Sequence, residues 1–349
     1  FPTRRSSDLL NQLIFDGSYL VGLQSAKVYL QISENAKEKT ELGIREAIIN
    51  AYGNILLSQE SILILEKNIA SLDKNLNEII QIFENGLTEE ENVEQLKITL
   101  SSVKSQLSKS KKLNEIAYKM LNITVGIDIS TSVNLTDNLP KLAQGNVDLV
   151  LLNSPFTAES HIDFKIAKNT EKSKELFVKL EKSKALPKLS SFVNFGYAGF
   201  NEEFKFLNKQ QQWFNSSLLG VSLDVPIFSS FARRSRTQQA QIELDKATTQ
   251  LNELEQKLIL QLESAKSEYN FNIEELETSK QNLNLAERIE KKQQIKFFEG
   301  ISSSFDLTEA QRQLYTMQQN YLQAMLNVIS SKAALDTALN IPINNNQKY

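Results

Sequence analysis

Cysteine is absent from this 349-residue chain, which excludes disulfides, thiolate metal sites and a cysteine nucleophile and leaves the redox compartment open. Histidine occurs once, as His161 in a polar stretch, and reads as a surface residue rather than a catalyst or metal ligand. The chain holds only 11 glycines and 6 prolines, the residues that end helices, so long helices are favoured. The net charge of −3 and pI of 5.6 give no basic stripe, so nucleic acid is not an expected partner. The densest basic cluster, Arg233, Arg234 and Arg236, opens a helix where a strand ends and reads as an anchor at a polar boundary. No nucleophile elbow, phosphate loop or metal motif is present. The sequence therefore assigns no catalytic, cofactor-binding or metal residue, and a non-enzyme is expected. The longest apolar runs, such as Leu149 to Leu152, fall far short of the roughly 20 residues a spanning helix needs. A chain of this composition would cross a bilayer by strands.

What is present is a repeat. Phe83-Glu84-Asn85-Gly86-Leu87 returns as Phe297-Phe298-Glu299-Gly300-Ile301, with Gly300 lying 214 positions after Gly86. At the same offset Val93 falls on Leu307, Leu100 on Leu314 and Leu107 on Tyr321. Each copy reads as a strand end, a very long helix, a tight turn at glycine and a returning helix. The outgoing helices are expected over 17–84 and 229–298, each about 100 Å long at 1.5 Å per residue. The first returning helix is expected over 88–121, with an interruption over 122–155 and a resumption over 158–185.

In the second copy Leu251, Leu254, Leu258, Leu262, Ala265, Tyr269, Ile273 and Leu276 step by three and four in an 11-residue period. Such a stripe stays nearly straight, whereas a heptad stripe winds left-handed. Nearly straight long helices suit the wall of a wide tube.

Between the copies the pattern changes. Pro187 ends a helix, and Val193, Phe195 and Tyr197 alternate with Asn194, Gly196 and Ala198. A second run places Trp213, Leu219, Val221, Leu223 and Val225 opposite Ser216, Gly220, Ser222 and Asp224. Period-two alternation of bulky apolar with small or polar residues marks a transmembrane β-strand, and equally a soluble amphipathic hairpin. Phe195, Tyr197, Trp213 and Phe214 are the candidate membrane-interface aromatics, with 201–212 as the exposed loop.

The order of these parts resembles the outer-membrane efflux protein family, over nearly all of residues 10–340. The residues that carry the resemblance are Gly86-Leu87 with Val93-Glu94-Gln95-Leu96, and Gly300-Ile301 with Phe305-Asp306-Leu307-Thr308-Glu309-Ala310-Gln311. Leu186-Pro187-Lys188-Leu189 and Leu223-Asp224-Val225-Pro226-Ile227-Phe228 are similar to the family as well. The resemblance implies a mainly α fold with a β-barrel portion: a homotrimer whose helical hairpins form a periplasmic α-barrel beneath outer-membrane strands. It also implies passive export from a Gram-negative cell, a periplasmic adaptor and inner-membrane pump as partners, contact with outer-membrane lipid, and no cofactor. By position, Asn85, Gly86, Leu87, Glu299, Gly300 and Ile301 would be the adaptor-docking turns. Asp306 and Glu309 would form an acidic ring at the entrance, while their first-copy counterparts Asn92 and Gln95 are uncharged. A periplasmic adaptor and a soluble coiled-coil scaffold are the alternatives. The first has one hairpin rather than two, and the second would show heptads and no alternating aromatic segment.

The expected organisation is a non-native stretch over 1–9, a first repeat over 10–186 with a mid-tube insert over 122–155, and a membrane hairpin over 187–228. A second helical hairpin over 229–340 and a polar tail over 341–349 complete it. Two complete strands are expected, with the family's first strand pair and helix falling ahead of Leu10.

Overall fold

The computed structural model describes residues 3–341 apart from 201 and 204–206; the expected polar tail after 341 lies outside the described residues. In chain order, strand β1 (Thr3–Phe15) is followed by helices α1 (Gly17–Glu84) and α2 (Glu90–Val125). The short helix α3 (Leu139–Gly145), two short 3₁₀ helices and α4 (Ile162–Ser183) come next. Strands β2 (Lys188–Phe200) and β3 (Trp213–Asp224) precede α5 (Ala232–Phe298) and α6 (Ser304–Ala338). Contacts divide the chain into two units, one of residues 1–37 and 162–256, the other of 38–161 and 257–349.

In the first unit the three strands form one antiparallel sheet in the order β1-β2-β3. The sequence predicts two complete strands; the structure has a third, β1, which runs into the stretch set aside as non-native. Pairing demands only backbone groups, so β1 can dock on the free edge of β2 whatever its side chains. Its alternation fits the sheet poorly: Asp8 pairs in register with Phe195, on the apolar face. Asp16 accepts a hydrogen bond from the Ser18 backbone N–H at 2.7 Å and lies 3.3 Å from Lys188 Nζ, which fixes the strand-to-helix corner. At that corner a methyl on Gly17 would lie 2.7 Å from Leu186 Cδ1 and 3.2 Å from Ser183 Cβ, so glycine here lets α1 lie close against the end of α4.

The second unit is built of two helical hairpins and the insert. Where α1 meets α2 near the turn, the buried residues of α1 are Leu65, Asn68, Leu72, Asn75 and Ile79, and those of α2 include Val93, Leu96, Leu100 and Val103. These steps of three and four sum to seven. The sequence reading counts heptads as a mark of the scaffold alternative, yet this hairpin end has them, because two helices in close pairwise contact keep their shared stripe only by winding left-handed. Along α5 the buried positions Ala240, Ala247, Leu251, Leu258, Leu262 and Tyr269 step by seven and four, the 11-residue spacing read from the sequence.

Both hairpins share one core. Leu65, Leu72, Ile79, Val93, Leu96, Leu100 and Val103 pack with Phe297 and Leu307 of the second hairpin. Truncating a core leucine such as Leu96 to alanine is worth about 2–5 kcal/mol. The heptad asparagines reach across the same seam. Asn68 Nδ2 donates to Gln318 Oε1 at 2.8 Å, and Gln294 Nε2 donates to Asn75 Oδ1 at 2.7 Å. Buried polar ties of this kind fix register more than they add stability.

The insert is helical and irregular, with no strand among the described residues. Leu139 and Ala143 of α3 pack on Leu56, Leu322, Met325 and Ile329. The Tyr269 hydroxyl, fully buried, donates to the Asn146 carbonyl at 2.6 Å and accepts from the Asp148 N–H at 2.8 Å. His161, expected at the surface, is buried beside Phe156 with ring centroids 6.3 Å apart. Polar neighbours in sequence hid this, since it is the folding back of the insert that covers the ring.

Candidate functional site: the glycine turns and the sheet

The two turns are built alike. Gly86 and Gly300 each have φ of 72°, the left-handed conformation that only glycine adopts without penalty. In the first turn the Gly86 N–H donates to the Phe83 carbonyl at 2.8 Å and the Leu87 N–H to the Ile82 carbonyl at 3.0 Å. In the second, Gly300 donates to Phe297 at 3.0 Å and Ile301 to Lys296 at 2.8 Å. This is a Schellman cap repeated residue for residue. Its usual apolar residue after glycine packs back on the helix; here Leu87 is 77% exposed and Ile301 70%. Phe305, at the start of α6, is exposed as well. Ile79 and Val93 beside one turn, and Phe297 and Leu307 beside the other, belong to the same core, so both turns close the same end of this unit.

The returning helices start differently. α6 opens with a full capping box. Ser303 Oγ accepts from the Asp306 N–H at 3.2 Å, and the Asp306 carboxylate accepts from the Ser303 N–H at 3.1 Å and hydroxyl at 2.7 Å. α2 has Glu89 at the matching position, with no side-chain cap, and Asn92 turns to donate to Thr88 Oγ1 at 2.8 Å. Bonds from Ser303, helped by the positive charge of Lys296, hold the Asp306 carboxyl below the usual carboxylate range. Glu309 is gripped by the Arg312 guanidinium through both its oxygens, with Nε to Oε2 at 2.8 Å, and this pairing lowers its pKa in turn. Both candidate ring carboxylates are thus ionised and already partnered within the chain. Arg312 went unread in the sequence, although a basic residue three positions after a glutamate on a helix is the ordinary signal for such a pair.

The sheet register sorts the candidate interface aromatics. Phe195, Tyr197 and Trp213 share one face with Leu10, Val193, Leu219, Val221 and Leu223, and the rings of Phe195 and Tyr197 meet edge-on at 5.2 Å. Phe214 pairs with Ala198 on the other face, where its ring lies 6.2 Å from that of Phe200. The four therefore do not make one girdle. The second face carries Asn11, Ser190, Asn194, Gly196, Ser216, Gly220 and Ser222, together with the leucines Leu9, Leu13 and Leu218. Phe192 lies on this face across Gly220, so closely that a methyl there would sit 2.4 Å from the ring. Both faces are exposed, with Leu219 at 74%, and the strand order leaves β1 and β3 as edges.

An antiparallel sheet, two long helical hairpins and paired glycine turns define a class of protein: the channel-forming, helical-hairpin proteins of the bacterial outer membrane. Residues 161–340 match the family described as outer membrane efflux protein. The chain belongs to that family. It is an outer membrane efflux channel protein with a large helical periplasmic part. No curated protein matches it. Among solved structures it is similar to the outer membrane protein VceC of Vibrio cholerae, at 15% identity and a TM-score of 0.76 over 97% of this chain and 87% of that one. The CmeC outer membrane channel of Campylobacter jejuni matches at 14% identity and a TM-score of 0.75, over 97% and 78%. The open state of the MtrE outer membrane channel of Neisseria gonorrhoeae matches at 14% and 0.71, over 97% and 80%. At these identities the likeness is one of fold. Family membership sets aside the adaptor and the scaffold.

Proposed function

We propose that the chain is one protomer of a homotrimeric exit duct, a passive conduit opened when a periplasmic adaptor, itself bound to an inner-membrane pump, docks on Asn85-Gly86-Leu87 and Glu299-Gly300-Ile301. The observation that carries this reading is the pair of matched turns at one end of a shared core, each rigid in its backbone and each presenting an exposed aliphatic residue, Leu87 and Ile301. Rigid caps with outward apolar side chains give a partner a surface that costs little entropy to engage.

The sheet supports trimerisation and lipid contact. Three strands with two free edges and an exposed apolar face are unstable in water, and closure with further copies removes the edges. Phe195, Tyr197 and Trp213 would meet lipid, while the serine- and asparagine-bearing face would line the lumen. Asp306 and Glu309 can still supply ring charge, since a carboxylate offers about four lone-pair sites. Arg312 would offset part of that charge.

Because the chain has no cysteine, single-cysteine variants are clean probes. Leu87→Cys and Ile301→Cys, treated with a short bifunctional thiol–amine cross-linker in intact envelopes, should each give one adduct containing a periplasmic adaptor. Lys172→Cys should not. Adducts from Lys172→Cys alone, or none from either turn, would remove the docking assignment.

A further inference from the structure

The loop between β3 and α5 exposes apolar bulk. Ile227 is 91% exposed, Phe228 75% and Phe231 68%. Ser230 and Phe231 both take left-handed backbone conformations, and the rings of Phe228 and Phe231 meet edge-on at 6.1 Å. Side chains of this size left in water, on a backbone held in a strained turn, are kept where function needs them.

The helix that follows begins with the charge its dipole disfavours. α2 and α6 carry acidic residues in their first turns, Glu90 with Glu91 and Asp306. α5 has none there and sets Arg233, Arg234 and Arg236 at its start, against the positive end of the helix. No acidic residue occurs over 225–242. Arg233 Nε donates to Ser229 Oγ at 3.2 Å, and its Nη1 finds no acceptor in the chain. Arg234 and Arg236 are exposed. The other cations at this end of the sheet are taken, Lys188 by Asp16 and Lys184 by Glu181, whereas none of the three arginines forms an ion pair among the described residues. Asp224, the preceding acid in the chain, pairs in register with Lys188.

The strand supplies a ruler. β3 has 12 residues from Trp213 to Asp224. At ~3.3 Å per residue it covers about 40 Å, or about 30 Å along a barrel axis at a tilt of roughly 40°. That crosses the apolar band of about 25 Å around an outer-membrane barrel. With Trp213 at one membrane face, the loop and its arginines reach the other. The apolar face that ends in Leu219, Val221 and Leu223 runs straight on into Val225 and Ile227.

We propose that this segment is an anionic-lipid anchor. Ile227, Phe228 and Phe231 enter the acyl chains at the periplasmic edge of the membrane. Arg233, Arg234 and Arg236 bind the phosphate of an anionic glycerophospholipid headgroup. Guanidinium forks match phosphate oxygens in pairs. Apolar side chains in the acyl region with cations at headgroup level are the arrangement of an interfacial anchor.

The anchor rests on the sheet's lying in the membrane, and one experiment separates the two. Trp213 is the chain's one tryptophan. Combining Trp213→Phe with Phe228→Trp moves that probe to the exposed loop. Each full-length protein is reconstituted in phosphatidylcholine vesicles containing some phosphatidylglycerol, with one lipid or the other brominated. Fluorescence quenching then reads the lipid composition around the probe. At the loop the ratio of phosphatidylglycerol to phosphatidylcholine should exceed the bulk ratio about fivefold. Around Trp213 it should match the bulk. When Arg233, Arg234 and Arg236 are all changed to glutamine, the loop probe should stay quenched while its ratio falls to the bulk value. A Trp213 that neither lipid quenches would remove the sheet from the membrane and the anchor with it. A quenched Trp213 beside an unquenched loop probe, as contact with a second copy would give, would overturn the anchor alone. So would an enrichment that survives the arginine changes.

Discussion

Gly86 and Gly300 are the same residue twice: 214 positions apart, they share a φ of 72° and the same two capping bonds to the preceding turn. Nothing lies within 4 Å of where a Cβ would sit on either. Conformation alone, rather than crowding, requires glycine at both. Replacing either by alanine should cost about 1–2 kcal/mol, the penalty of a left-handed residue with a side chain, while asparagine should be milder. Thermal unfolding of the four variants measures this, and equal losses at the two turns are expected.

The caps after those turns should respond unequally. Ser303→Ala removes a capping box and should cost about 1 kcal/mol, whereas Glu89→Ala removes no side-chain cap and should be nearly silent. The Ser303 cap is also acid-sensitive. The Asp306 pKa is depressed, so its contribution is present above the ordinary aspartate range, near about 4, and lost as pH falls through the folded value. Unfolding curves of Asp306→Asn should lack that part of the acid arm.

Before α5, Ser230 and Phe231 both have positive φ, at 48° and 64°. Two consecutive non-glycine residues in this region store strain of about 1–3 kcal/mol each. Ser230→Gly should therefore stabilise the protein by roughly 1 kcal/mol, read as an increase in melting temperature.

On the sheet, Gly220 leaves room for the Phe192 ring, and a side chain there must displace it. Gly220→Val should impair assembly in membranes, and the pair Phe192→Ala with Gly220→Val should recover it. Quantifying heat-modifiable oligomer on gels compares the three.

Much of this fold was legible because its signals are local and repeated. Both long helices follow from the scarcity of glycine and proline, α5 also from its 11-residue stripe, and α1 runs over 17–84 as read. The turns were legible because glycine at a helix end has one main use. What escaped the sequence depends on contacts distant in the chain. The burial of His161 needs the insert to fold back, and the heptad seam of α1 with α2 needs the two stripes seen together; the separation of Phe214 from Trp213, by contrast, follows from strand alternation alone.

The central claim is that several copies of this chain close a barrel in the outer membrane, and the mass of the assembly tests it most directly. Light scattering on protein extracted with detergent from the outer-membrane fraction should give three times the 39.6 kDa of one chain, after subtraction of bound detergent. A monodisperse monomer or dimer that stays in solution without detergent would contradict it.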